Sequence, residues 1–117
     1  MMYDIYTAVI QTGFNKDRKI LNLNDEVILL KEPENNYDAE AIICVVPAFG
    51  KIGYVINNFK ALPKGCFSSG RIYDIFKIGI FAEVKFIIND ISILKLNLDS
   101  RNILNDIYKT SSPSNLI

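Results

Sequence analysis

From Glu32 to Ala41 the chain reads Glu-Pro-Glu-Asn-Asn-Tyr-Asp-Ala-Glu-Ala, and its residue types point in two directions. Pro33 fixes its own φ and biases Glu32 towards extended backbone, while Asn35, Asn36 and Asp38 stabilise turns with their own side chains. These residues specify a polar turn between two strands. Tyr37 is not needed for that turn: a large aromatic ring sits between Asn36 and Asp38 on a polar connection. Two readings stand at this point. Either the ring packs onto the body of the domain and Asp38 caps the next strand, or the ring and the carboxylate are offered to a ligand.

The rest of the composition narrows the chemistry. Histidine is absent, so Ser-His-Asp and Cys-His triads are impossible, and Cys44 and Cys66 form no CxxC pair from which the usual zinc sites are built. Cys44 lies within the apolar run Ile42 to Val46, so buried thiols are expected rather than a disulfide. Asp38, Asp74 and Asp90 are the carboxylates a nuclease-like divalent metal site would recruit, but they fall on separate elements without a recognisable motif. The expectation is a binding module without catalytic residues, metal, cofactor or small-molecule substrate. Thirteen basic residues balance thirteen acidic ones, so a nucleic acid cannot be held by a general cationic surface and needs a local site.

Strand signals position the turn. Half of the residues are apolar, and β-branched and aromatic residues gather in short runs punctuated by Gly, Pro, Asn and Asp. Strands are expected over Asp4–Gln11, Glu26–Lys31, Ala39–Val46, Lys51–Ile56, Arg71–Phe76, Ile80–Asn89 and Ser92–Leu98. That spacing predicts a mainly β fold: a small OB-like or SH3-like barrel of six to seven strands with one or two short helices. Asn57–Leu62 reads as one helical turn stopped by Pro63, followed by a mobile loop through Cys66 and Gly70. Ser100 is placed to cap a helix whose apolar residues Ile103, Leu104, Ile107 and Tyr108 share a face. One domain over 1–109 and a flexible tail over 110–117 account for the whole chain. No apolar run approaches the ~18 residues of a membrane helix, and Met1 to Ile10 lacks a signal-peptide pattern, so a cytoplasmic location is expected.

The string Leu30-Lys-Glu-Pro-Glu-Asn-Asn-Tyr-Asp-Ala-Glu-Ala-Ile42, followed by Gly53-Tyr-Val55, resembles the signature of the HIRAN family: a basic-acidic-Pro triplet, then Asn, Tyr-Asp, Asn-Ala-Ile or similar, and Gly-Tyr. The resemblance implies an OB-like barrel; in the best understood member of the family it captures the free 3′ hydroxyl end of single-stranded DNA, in the setting of DNA repair at stalled forks. Asn35, Tyr37 and Asp38 then fall on the end-binding pocket. Tyr37 stacks on the terminal nucleotide, Asp38 accepts the hydrogen bond of the terminal hydroxyl, and Asn35 contacts the sugar or base edge. Stacking on an aromatic ring is worth about 1–3 kcal/mol per base whatever the sequence. A carboxylate accepts a hydroxyl and repels a phosphate, which selects an unblocked terminus.

The sequence departs from the family at two places. Where the first strand commonly ends in aromatics it has Gln11, Thr12, Gly13 and Phe14, with Phe14 as the substitute. Where the family offers basic groups after Gly-Tyr it has Tyr54 and Asn57, leaving Lys31, Lys51 and Lys60 to meet phosphates. The thin supply of cations favours an alternative: a protein-interaction module, an inhibitor or adaptor of phage or mobile-element type, with the same fold and a partner such as a nuclease or helicase.

Overall fold

The computed structural model describes residues 3–110. Its strands are β1 (Tyr6–Gln11), β2 (Glu26–Lys31), β3 (Ile42–Val46), β4 (Gly50–Val55), β5 (Gly79–Ile88) and β6 (Ile91–Leu96). They close into a six-stranded barrel in the order β1-β4-β3-β2-β5-β6, every neighbouring pair antiparallel. Closure leaves no unpaired edge, which protects a chain this rich in isoleucine from strand addition.

Alternation within each strand supplies the core. Val9, Val27, Leu29, Ile42, Cys44, Ile52, Ile80, Val84 and Leu94 point inward and are almost wholly buried. Each of the larger side chains contributes about 1.5–3 kcal/mol by leaving water. Gly53 is where β1 and β4 come closest: a Cβ there would stand 2.0 Å from the carbonyl oxygen of Ile10. Only glycine permits that approach. Burial pushes the Cys44 thiol up to about 12, while Cys66 is only half-buried and its thiol is raised less strongly by the same cause; both cysteines are free.

Four sequence expectations are corrected. Arg71–Phe76 is not a strand: α1 (Ser69–Ile72) ends there and gives way to turns, its N-terminus capped by the Ser68 hydroxyl, which accepts from the Arg71 amide. Ile72 and Phe76, four residues apart, are both buried against the barrel, a helical spacing that β-branched and aromatic composition concealed. Asn57–Leu62 forms turns rather than a helix, with Ala61 and Leu62 amides bonded to Asn58 and Phe59 carbonyls. The Cys66–Gly70 loop is pinned rather than loose: Phe67 bridges to Thr7, whose hydroxyl donates to the Phe67 carbonyl at 2.8 Å, and Ser69 is buried. Ser100 ends a 3-10 turn (Leu98–Ser100) and is not the cap of α2 (Ile103–Thr110); its buried hydroxyl accepts from the Phe81 amide at 2.9 Å and donates to the Asn97 carbonyl. The α2 side chains Ile107 and Tyr108, and the expected tail over 111–117, lie outside the described residues.

Candidate nucleic-acid interface

The loop between β2 and β3 is shaped by one amide side chain. Asn35 Oδ1 accepts the backbone N–H groups of Tyr37 and Asp38, each at 2.8 Å, while its Nδ2 donates to Glu32 Oε1 at 2.7 Å. Asn35 is thus an Asx-turn residue whose side chain folds the backbone beneath Tyr37. The Tyr37 ring is 98% exposed. It does not pack on the barrel, so the first of the two readings of this residue is set aside.

Asp38 is held from the other side. Its Oδ1 accepts the Glu40 amide at 2.9 Å, and Asn57 Nδ2 donates to both carboxylate oxygens at 3.2 and 3.1 Å. Asn57 in turn accepts the Gly70 amide at 2.8 Å. The Ser69 hydroxyl donates to the Glu40 carbonyl, which locks α1 against the loop. A carboxylate offers about four lone-pair directions, so the Asp38 Oδ2, with a single protein donor, keeps room for a further hydroxyl.

Glu32 links the loop to β4. It accepts Tyr54 Oη at 2.9 Å and lies 3.5 Å from Lys51 Nζ, which itself donates to Tyr54 Oη at 2.7 Å. The Asn35 hydrogen bond, followed by those of Tyr54 and Lys51, holds the Glu32 carboxyl below its ordinary range against the opposing effect of desolvation. Lys51 is held above its ordinary range chiefly by Tyr54, then by Glu32. One chain of bonds therefore runs from Lys51 through Tyr54, Glu32 and Asn35 to Asp38, Asn57 and Gly70.

The structure brings Asn35, Tyr37, Asp38, Asn57 and Tyr54 together and distributes the others. Lys31 places its ammonium 4.1 Å from the centre of the Tyr73 ring and 5.4 Å from that of Phe76, and desolvation lowers its pKa against the influence of Asp74. Its charge rests on ring faces. Lys60 is exposed in the turn after Asn57, its amide bonded to Asn58 Oδ1. Phe14 is 98% exposed on a 3-10 turn (Gly13–Asn15). That turn is bonded to the Ile52 and Lys51 carbonyls at the start of β4, five and six residues before Asn57, or about 16–20 Å along the backbone at ~3.3 Å per residue. Among the described residues no group of His, Cys, Asp and Glu could hold a metal ion. Nor is any described helix long and apolar enough to cross a membrane.

Two participants were not singled out from the sequence. Glu32 and Glu40 organise the polar groups, and their signal is the spacing of Glu32 three residues before Asn35 on a turn. Phe59, 77% exposed two residues after Asn57, is a second ring on a polar turn, the same anomaly that marked Tyr37.

No protein-family model and no curated protein matches the sequence. Among solved structures, the chain is similar to the crystal structure of the HIRAN domain of human HLTF: 18% identity over 92% of this chain and 87% of that one, with a TM-score of 0.56. The closed six-stranded barrel of this chain has the fold of that HIRAN domain.

Proposed function

We propose that this domain binds nucleic acid without turnover and captures the 3′ hydroxyl end of single-stranded DNA. The observation that carries this reading is the Asn35-Tyr37-Asp38-Asn57 unit: a fully exposed aromatic ring on a loop that hydrogen bonds hold in shape, beside a carboxylate with an acceptor direction to spare. Ring and carboxylate are pre-organised, so binding a nucleotide costs little ordering of the protein. The terminal base stacks on Tyr37 and the terminal hydroxyl donates to Asp38 Oδ2. Glu32, Glu34 and Glu40 surround the same loop, and with Asp38 they repel a terminal phosphate. Selectivity for an unblocked end follows from that field. A role in DNA repair, delivering or shielding ends for a nuclease or helicase, fits a domain that holds ends without cutting them.

The test is fluorescence anisotropy with a labelled ten-nucleotide strand ending in a free 3′ hydroxyl, the same strand with a 3′ phosphate, and a blunt duplex. The hydroxyl strand binds tightest under this reading, and Tyr37→Ala weakens it. Equal binding of all three overturns it.

A second reading, an adaptor or inhibitor that docks on a protein, is favoured by Phe86, Ile87 and Ile88, three consecutive exposed apolar residues at the end of β5. Absence of DNA binding together with capture of a nuclease or helicase partner would favour it.

A further inference from the structure

The end site explains selectivity but holds few cations, and a second region of the surface supplies them. After β1 the chain forms the 3-10 turn that carries Phe14 and then runs through Lys16, Asp17, Arg18 and Lys19. The Gln11 side chain, 92% removed from solvent, fixes this segment: its amide donates to the carbonyl of Asn15 and, at 2.7 Å, to that of Arg18. The 3-10 turn is in turn bound to β4, through the Thr12 amide on the Ile52 carbonyl at 3.0 Å and Asn15 Nδ2 on the Lys51 carbonyl at 3.3 Å. Exposed cations and an exposed ring are thus carried on a backbone whose conformation is already determined.

Lys16, Asp17, Arg18 and Lys19 line one side of an open cavity of about 490 Å³, with Ile87 and Asp90 on the other. Three cations face two carboxylates there, and among the described residues none of the three is in an ion pair. Arg18 holds its guanidinium 5.6 Å from the centre of the Phe49 ring, at the turn that opens β4. Another open cavity, about 470 Å³, is different: Asp4, Glu26, Glu83 and Asp99 line it with one cation, Lys95, which lies 3.6 Å from Asp4.

β4 joins the two regions. Asn57 stands two residues after its last residue and Lys51 is its second, about 20 Å apart along the backbone at ~3.3 Å per residue, the length of about six nucleotides at the 3.4 Å rise of a stacked strand, with the Lys51 side chain reaching from one region towards the other. We infer that the Lys16–Lys19 segment is a phosphate-binding track for single-stranded DNA: a strand whose 3′ end sits at Tyr37 and Asp38 runs along β4, stacks a base on Phe14 and lays its 5′ phosphates against Lys16, Arg18 and Lys19. This rests on the end-capture reading for the strand's direction and position.

The test compares the folded wild-type domain with the Lys16→Gln, Arg18→Gln, Lys19→Gln triple variant, using a trinucleotide too short to span β4 and a twelve-nucleotide strand with either a 3′ hydroxyl or a 3′ phosphate. Gln11 and backbone groups hold the loop, so the variant keeps its fold, checked by thermal melting. The track predicts that the variant binds the trinucleotide as wild type does but loses about tenfold on the long strand. Its log affinity against log salt becomes shallower by about 2, three contacts at ~0.7 each. Unchanged long-strand affinity and slope in the variant, with hydroxyl preference retained, overturns the track and leaves end capture standing. Salt-sensitive long-strand binding that the variant weakens, indifferent to the terminal group, supports the track and removes end capture. No binding by the wild type overturns both.

Discussion

The loop around Tyr37 and the segment around Phe14 lie at opposite ends of β4 and are built by one device used with opposite charge. In each, a single carboxamide folds the backbone: Asn35 captures two amides, Gln11 captures two carbonyls. In each, an aromatic ring is left 98% exposed on the turn so formed. Around Tyr37 the charged neighbours are Glu32, Glu34, Asp38 and Glu40; beyond Phe14 they are Lys16, Arg18 and Lys19, with Asp17 among them. Apart from Lys51, which is paired with Glu32 at 3.5 Å, acceptors that reject phosphate and cations that attract it are carried on separate turns. A binder that must read a terminus on a polyanion gains from that separation, because cations beside Asp38 would blunt the discrimination and carboxylates beside Lys16 would blunt the affinity.

The largest perturbation breaks the strand that joins the two regions. Gly53→Val drives a side chain into the Ile10 carbonyl and should cost about 3 kcal/mol or more, read as a collapse of the denaturation midpoint with both binding activities lost together. A variant that melts like wild type would show that β1 and β4 can separate at this point without harm. Next, Tyr37→Ala should remove about 1–3 kcal/mol of binding to a free 3′ end while leaving stability unchanged, since the ring touches solvent rather than core. Gln11→Ala tests the other region in reverse: it leaves the carbonyls of Asn15 and Arg18 without their shared donor and should cost about 1–2 kcal/mol of stability, with long-strand binding more affected than trinucleotide binding.

The smallest effect is a pH dependence. Glu32 has its carboxyl held below the ordinary value of 4.5 by Asn35, Tyr54 and Lys51, so its contribution is present above that value and fades as pH falls through the depressed one. The side chain is 30% exposed, so solvent screening keeps the contribution small. Glu32→Gln should flatten the acid limb of the stability profile slightly and loosen the Tyr37 loop, seen as faster exchange of the Tyr37 and Asp38 amides. An identical acid limb in the variant would assign that limb to other carboxylates.

Most of the barrel was legible in the sequence because two-residue alternation and turn residues are local signals: β2 starts and ends where its pattern does, and β1, β4, β5 and β6 differ from expectation only at their ends. β3 begins at Ile42 rather than Ala39 because Asp38 and Glu40 are engaged in the turn that carries the site. Ile72 to Phe76 misled for a physical reason. The residue types of a strand occupy a helix and its exit there, and the capping bond of Ser68 together with the spacing of Ile72 and Phe76 outweighs their intrinsic preference. At the site, Asn35, Tyr37 and Asp38 could be read because they are contiguous. The partnerships of Asp38 with Asn57, of Asn57 with Gly70, and of Glu32 with Tyr54 and Lys51 depend on the closed fold across 13 to 22 residues and could not be read from spacing. The place of Phe14 could not be read for the same reason: only the register of β1 on β4 shows that its turn lies beside the Lys51 backbone.

The claim that Asp38 reads the terminus is tested most directly by Asp38→Asn, which keeps the shape of the loop while removing the charge. The quantity to measure is the ratio of affinities for a 3′ hydroxyl and a 3′ phosphate strand of the same sequence, in wild type and variant, at one salt concentration. The account predicts a clear preference for the hydroxyl in the wild type that falls to about unity in the variant, mainly because the phosphate strand binds better once the carboxylate is gone. A ratio that is the same in both proteins would contradict it.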